Sequence, residues 1–375
     1  MTSPFRVPQP TAQVAAIPPM TPFVAPEELA RRVGRTELLR LGANESAFGP
    51  SPRAIAAMRD AVANTSWYGD PESLELRAAL AARHGCTPAE IVVAGGIDDL
   101  MGLVVRAYCG LGEACVATRG TYPTLFYHIN GVGARAEFAE PDERGGIVPD
   151  SIVDAVRRSG AKLVYVANPD NPSGSFVGRD VLAALRDALP DDVMLFVDEA
   201  YADFVPREEL LPDAVDPRIV RTRTFSKAYG MAGARIGYAI APAELVTMFQ
   251  KLRLHFGVNR TGQIGALAAL DDAAFLRGVV AEVERGREEY HALAAAHALP
   301  SLPSRTNFVC IGIGTRAEAE AMVGVLLELG VFVRKPWAPP IDGFIRVTVG
   351  TVAERAAFAE RFAEALDHVR EKATP

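Results

Sequence analysis

Thr224-Phe225-Ser226-Lys227-Ala228-Tyr229-Gly230-Met231-Ala232-Gly233-Ala234-Arg235-Ile236-Gly237-Tyr238 is the stretch whose reading decides the fold. A run rich in β-branched residues, Ile219 to Phe225, leads into it, and a second run, Arg235 to Ile240, leads out. Both read as strands, and the glycines between them mark a turn. Ser226 and Lys227 therefore stand at the end of a strand. A lysine at such a place is usually just solvated, so its meaning depends on what the neighbouring strands carry.

Upstream, short apolar runs alternate with helical patterns. Ile91 to Ala94, Ala114 to Thr118, Lys162 to Ala167 and Val193 to Val197 read as strands. Asp98 to Cys109, Leu125 to Ile129, Asp150 to Ser159 and Arg179 to Ala188 read as helices. Strands that are apolar throughout, separated by helices, imply an α/β fold with a mostly parallel sheet covered on both faces. In such sheets the ligand sits beyond the carboxyl ends of the strands. The polar clusters fall there: Asn168 to Gly174, Asp198 to Tyr201, then Ser226 and Lys227.

Downstream of Glu244 the texture changes to alanine- and leucine-rich helix up to about Ala298. Strands at Phe308 to Ile313, Val331 to Arg334 and Phe344 to Val349 follow, with a helix from Arg316 to Leu329 and a final helix. This tail reads as a smaller α+β domain. The expected division is an N-terminal arm over 1–40, a large domain over 41–275 and a small domain over 276–375, with the boundary inside a long helix near 265–285. A chain of 375 residues is long enough for two such cores.

The bulk chemistry narrows the class. A net charge of −7 gives no support to nucleic-acid or anionic-membrane binding. No apolar run reaches the roughly 18 residues that span a bilayer. Cys86, Cys109, Cys115 and Cys310 form no C-x-x-C pair and read as buried thiols of a reducing cytoplasm. The histidines show no metal-ligand spacing, so no metal site is expected. Met1 to Pro26 is proline-rich and lacks the basic start and apolar core of a signal peptide. It is expected to be an arm, either disordered or laid on a partner subunit.

The order of the strand-end clusters gives them chemistry. A pyridine cofactor needs an amine for a Schiff base, a carboxylate to keep its ring nitrogen protonated, and hydroxyls with a cation for its phosphate. Lys227, Asp198, and Thr224 with Ser226 and Arg235 supply these at successive strand ends. Two carboxylates closing one apolar strand, Asp198 and Glu199, are costly unless paired, so Asp198 is expected to meet a cation. Arg235 is expected near Lys227, lowering its pKa.

N-P-x-N-P-S-G at 168–174, D-E-A-Y-x-x-F at 198–204 and the stretch at 224–238 resemble the fold-type I aminotransferases, and most closely the histidinol-phosphate aminotransferase family. L-G-A-N-E-S-A-F-G-P-S-P at 41–52, W-Y-G-D-P-E at 67–72, T-Y-P at 121–123 and I-R-V-T-V-G-T at 345–351 extend the likeness over roughly residues 40–370. The resemblance implies a homodimer that uses pyridoxal 5′-phosphate to exchange an amino group between an amine and a 2-oxo acid. The amine would be histidinol phosphate or an aromatic amino acid, and the acceptor a 2-oxo acid such as 2-oxoglutarate.

It also implies roles. Lys227 would carry the cofactor and shuttle the proton, with Asp198 on the ring nitrogen. Tyr201 and Asn171 would bond the phenolic oxygen, and Tyr122 would stack on the ring. Thr224, Ser226, Arg235 and the backbone N–H groups of Ile97 and Asp98 would hold the phosphate, joined by Tyr68 of the partner subunit. Asn44, Asn171, Arg334 and Arg346 would meet substrate, Arg346 clamping a carboxylate.

The chain departs from the family pattern at Ala94-Gly95-Gly96-Ile97-Asp98-Asp99, where G-N-G-S-D-E is usual, so two side-chain donors are lost and only backbone donors remain. Y-G-D replaces Y-P-D at 68–70. His255 and Arg260 are additional groups that either read a distal substrate anion or lie on a solvated helix end. A decarboxylase of the threonine-phosphate type and an inert cofactor-binding regulator are the alternative functions. A dinucleotide enzyme is discounted, because neither Gly95-Gly96 nor Gly230 to Gly237 fits G-x-G-x-x-G.

Overall fold

A computed structural model describes residues 7–17 and 23–373 of the chain. Its strands are, in order, β1 (Leu39–Arg40), β2 (Ile91–Ala94), β3 (Ala114–Thr118), β4 (Arg135–Ala139), β5 (Leu163–Ala167), β6 (Met194–Asp198), β7 (Ile219–Thr224), β8 (Gly237–Ile240), β9 (Phe308–Gly312), β10 (Val331–Phe332) and β11 (Phe344–Thr348). Seven of them make the main sheet, in the order β2-β8-β7-β6-β5-β3-β4. β8 runs antiparallel to both β2 and β7, and the other neighbours are parallel. The strands β2, β3, β5 and β6 are buried at every position, which is why they read as unbroken apolar runs.

Helices cover both faces. Ile97–Tyr108 buries Leu100, Leu103 and Val104 against one face. Pro149–Ser159 and Arg179–Ala188 bury Ile152, Val156, Leu182 and Leu185 against the other. Each is amphipathic, so the apolar stripe alone sets which way it turns.

A second core gathers the C-terminal elements. β9 and β11 pair antiparallel, and the helices Ala273–Ala296, Arg316–Glu328 and Val352–Ala373 pack around Phe308, Met322, Phe358 and Phe362. The helical stretches expected between 244 and 298 are three helices: Ala243–Leu252, Arg260–Leu270 and Ala273–Ala296. The last break falls at Asp271–Asp272, where the Asp272 side chain caps the next helix by accepting from Phe275 N.

Two strands went unread in the sequence. β4 is an edge strand buried at only one position, and its Arg-Ala-Glu-Phe-Ala text lacks the apolar run that burial imposes on the fully buried strands. β1 is two residues long, too short to show a period, yet it pairs in parallel with β10 and ties the segment before residue 41 to the C-terminal core. Of the arm assigned to 1–40, residues 1–6 and 18–22 lie outside the described residues. Ala12–Ala16 and Pro26–Arg32 are helical.

Candidate active site

The carboxyl ends of β5, β6 and β7 open into a cavity of about 260 Å³. Asp198 ends β6 and is buried at its floor. Its Oδ2 accepts the Tyr165 hydroxyl at 2.8 Å and its Oδ1 accepts Ala200 N at 3.0 Å. Burial pushes its pKa up to about 7, while these hydrogen bonds pull it back down. The expected cation is not there: among the described residues Asp198 has no ion pair. Glu199 takes both cations instead, from Arg221 Nε at 3.0 Å and Arg223 Nε at 2.8 Å. Consecutive side chains of a strand point to opposite faces. Arg221 and Arg223 alternate with Thr222 and Thr224 along β7, and so serve the face that Glu199 occupies, not that of Asp198.

Lys227 follows β7 and lines the same cavity. Its Nζ donates to the main-chain oxygen of Asn44 at 3.1 Å and lies 5.7 Å from the centre of the Tyr201 ring. Burial lowers its pKa to about 8, and the positive charge of Arg346 adds to the shift. The cation that contributes most to this lowering is Arg346, while Arg235 lines the same cavity as Lys227. Arg235 adopts a left-handed backbone, φ 51°, and pairs with Asp98 of the same cavity, 3.8 Å from Nη2 to Oδ2. The lysine turn is pressed onto its neighbour: a Cβ on Gly230, φ +68°, would stand 2.0 Å from Gly49 O.

At the opposite end of the cavity lie polar groups suited to an anion. Thr224 and Ser226 are buried there, with Thr224 Oγ1 donating to Ser226 Oγ at 2.8 Å. The helix Ile97–Tyr108 begins beside them, after Gly96 at φ 102°. Its first-turn N–H groups have no intrahelical acceptor. Glycine is favoured at 96 by this positive φ, and a Cβ there would also sit 2.5 Å from Arg235 Nη2 and displace that guanidinium. Tyr122 walls the cavity, its hydroxyl donating to Asp98 Oδ1 at 3.2 Å.

The remaining predicted residues are placed less directly. Asn171 lines the cavity, and its Oδ1 accepts from Arg346 Nη1. Arg346 also donates to Gly42 O at 2.9 Å. Arg334 bridges to Arg346 across the backbone, and its guanidinium lies 4.7 Å from the Phe23 ring and 5.3 Å from that of Phe332. The Asn44 side chain does not line the cavity, whose wall there is Ala43 and Glu45. It is turned to Tyr201 and Thr348. Tyr68 is outside the cavity of its own chain, 75% exposed and stacked on Phe256 at 4.4 Å. Arg260 Nη2 donates to Tyr68 O at 2.7 Å, so it pins the tyrosine loop, while His255 is exposed. Sequence reading missed Tyr165, which sits inside an apolar strand and looks there like core.

Comparison with known proteins agrees with this geometry. The family described as Aminotransferase class I and II matches residues 36–362. Histidinol-phosphate aminotransferase 1 of Thiobacillus denitrificans is 34% identical over 365 residues, covering 94% of this chain and 92% of its own. The histidinol-phosphate aminotransferase of Roseiflexus castenholzii is 35% identical, covering 92% and 95%. Among solved structures, histidinol-phosphate aminotransferase from Sinorhizobium meliloti, in complex with pyridoxal-5′-phosphate, superposes with a TM-score of 0.93 at 39% identity over 97% of this chain and 99% of that one. The fold is therefore fold-type I, and the chain belongs to the class I and II aminotransferase family.

Proposed function

We propose that this aminotransferase uses pyridoxal 5′-phosphate to move the amino group of histidinol phosphate to a 2-oxo acid such as 2-oxoglutarate. The observation that carries the choice of substrate is the pairing of Arg334 with Arg346. The two residues face each other across an antiparallel bridge, the charge of Arg346 is felt at Arg334, and neither has an ion pair among the described residues. Burial, helped by the charge of Arg346, pulls the Arg334 pKa down to about 10. Two adjacent cations with no anion of their own suit a phosphate dianion, and one of them suffices for the carboxylate of the acceptor.

The cofactor fits the cavity on its own terms. Asp198 is a buried carboxylate without a cation, and a protonated ring nitrogen supplies one. Thr224, Ser226, Arg235 and the N–H groups of Ile97 and Asp98 offer a phosphate the donors that the replaced side chains at 95–97 no longer provide. Lys227 is the amine that holds the aldehyde carbon, and when released its Nζ moves the proton at the substrate α-carbon. Its lowered pKa keeps a useful fraction neutral near pH 7. Tyr201 and Asn171 face the phenolic oxygen, and Tyr122 covers the ring. The bound cofactor supplies an electron sink for the α-carbon.

The site is completed by a second copy of the chain. Tyr68 is exposed beside Trp67, Leu254 and Phe256, all more than half exposed, and an apolar patch of this kind is what a partner subunit covers. The unpaired state of the four cysteines supports the cytoplasm as the place of action. A second reading takes an aromatic amino acid as donor, supported by the rings of Phe23 and Phe332 around Arg334. Decarboxylation and an inert regulatory role are not favoured, since the relatives above are aminotransferases.

The test is single-turnover absorbance of the cofactor-loaded protein with one amine at a time: histidinol phosphate, phenylalanine, tyrosine, glutamate, alanine and phosphothreonine. Histidinol phosphate is expected to convert the band near ~420 nm into one near ~330 nm fastest among the non-glutamate donors. Faster conversion by phenylalanine or tyrosine selects the second reading, and conversion by no amine overturns both.

A further inference from the structure

Asn44 sits between the two cores and is 2% exposed. Its backbone is left-handed, φ 54°, a conformation that asparagine tolerates better than most residues. From that position it touches four groups. Its main-chain N donates to Thr348 Oγ1 at 3.1 Å. Thr348 Oγ1 in turn donates to Asn44 Oδ1 at 3.1 Å. Asn44 Nδ2 donates to the Tyr201 hydroxyl at 2.9 Å. Its carbonyl accepts from Lys227 Nζ and from Asn307 Nδ2, each at 3.1 Å.

The chain runs in one direction, from Thr348 through the Asn44 amide to Tyr201. The Thr348 hydroxyl accepts the Asn44 backbone N–H and gives its own proton to the amide oxygen, the only acceptor in the Asn44 side chain. The amide nitrogen must then face Tyr201. The Tyr201 oxygen is thereby occupied as an acceptor, and its proton has no acceptor among the described residues. Tyr201 lines the cavity, so the proton is left aimed into it. An unpaired hydroxyl proton at a buried site is costly without a ligand to accept it.

The geometry points to Asn44 as a positioning residue, not a substrate contact: through the relay from Thr348 it commits the Tyr201 proton to the phenolic oxygen of the bound cofactor. This rests on the reading that Tyr201 meets that oxygen. Donation there stabilises negative charge on the oxygen and weakens its hold on the neighbouring proton of the lysine-linked nitrogen. Losing the donation should therefore raise the pH at which that nitrogen loses its proton, a change visible in the absorbance of the loaded protein without any turnover.

The variants are Asn44→Gly, which keeps the positive φ, Thr348→Val, which lies outside the cavity, and Tyr201→Phe. Each is loaded with pyridoxal 5′-phosphate and titrated by visible absorbance, and folding is followed by thermal melting. Tyr201→Phe is expected to raise the midpoint by ~1 unit, the scale of one lost hydrogen bond to a charged group. Asn44→Gly and Thr348→Val should each raise it by roughly half as much, and neither should add to Tyr201→Phe when combined with it. An unchanged midpoint in both relay variants, with Tyr201→Phe shifted, overturns the relay and leaves the proposed function standing. An unchanged midpoint in Tyr201→Phe itself overturns the placement of Tyr201, and the relay with it. Should Asn44→Gly fail to fold, Thr348→Val decides alone by the same criterion.

Discussion

The Tyr165 hydroxyl lies 2.8 Å from Asp198 Oδ2, at a point where neither residue is more than 5% exposed. Burial raises the Tyr165 pKa well above its usual value, so it remains a donor at every working pH. It is one of two donors that keep Asp198 ionisable although no described residue forms an ion pair with it. Tyr165→Phe should push the Asp198 pKa further above about 7, so less of the carboxylate is ionised at neutral pH. The acid limb of the pH profile for pyridoxal 5′-phosphate affinity of the cofactor-free protein should move to higher pH, with a loss of about tenfold at pH 7. A profile superimposable on that of the unaltered enzyme would show that the hydroxyl does nothing for Asp198.

Lys227 gives a second prediction. Only the neutral amine attacks an aldehyde, and the folded-state pKa is lowered to about 8 from an ordinary value of 10.5. The rate at which cofactor-free protein takes up pyridoxal 5′-phosphate should rise with pH and reach half its maximum near about 8. An Arg346→Gln variant should move that midpoint upward, because one positive charge that disfavours the ammonium is gone. Lys227→Ala should bind the cofactor without a covalent link and lose turnover by several orders of magnitude, roughly 10³-fold or more. Reduction with borohydride followed by mass measurement separates the two states of attachment.

These residues show where the sequence was readable. Strands β2, β3, β5 and β6 announce themselves because burial at every position leaves nearly all of their text apolar. The edge strand β4 and the two-residue β1 carry no such constraint. At the site, residue types at strand ends were legible, but the direction of their side chains was not. Glu199 and not Asp198 collects Arg221 and Arg223, and the charge of Arg346, far away in sequence, contributes to the lowered pKa of Lys227. Asn44 and Tyr165 act through hydrogen bonds across 304 and 33 residues of chain. Spacing within a motif carries no signal for contacts of that range.

Gly230 allows a sharp test of how the lysine turn is held. A methyl group there would meet Gly49 O at 2.0 Å and the Pro50 nitrogen at 2.8 Å, both backbone atoms that cannot swing aside. Positive φ adds its own penalty for any L side chain. Gly230→Ala should cost roughly 3 kcal/mol or more, lower the melting temperature, and displace Lys227. Gly233→Ala, in the same turn and with nothing within 4 Å of the added carbon, serves as the control and should be nearly neutral. Equal melting temperatures for the two variants would contradict the close approach.

His84 supplies the pH dependence of stability. It is 3% exposed, with Nε2 2.8 Å from the Tyr238 hydroxyl and Nδ1 4.0 Å from Asp213 Oδ1. Burial lowers its pKa to about 3, and Arg223, Arg221 and Arg83 push the same way against Glu199. The native state therefore holds a neutral ring while the unfolded chain titrates near 6.5. Above that value neither state is protonated, and His84 does not affect the pH dependence. Below it the unfolded chain binds a proton that the native state refuses, so stability falls as pH drops from 6.5 towards about 3. Melting temperature should accordingly decline between pH 6.5 and pH 4.5, by the equivalent of about 2 kcal/mol. His84→Gln keeps a polar partner for Tyr238 and has no proton to gain, so its melting temperature should fall less over the same interval. Parallel decline of the two proteins would mean that the buried ring is not the group that acid attacks.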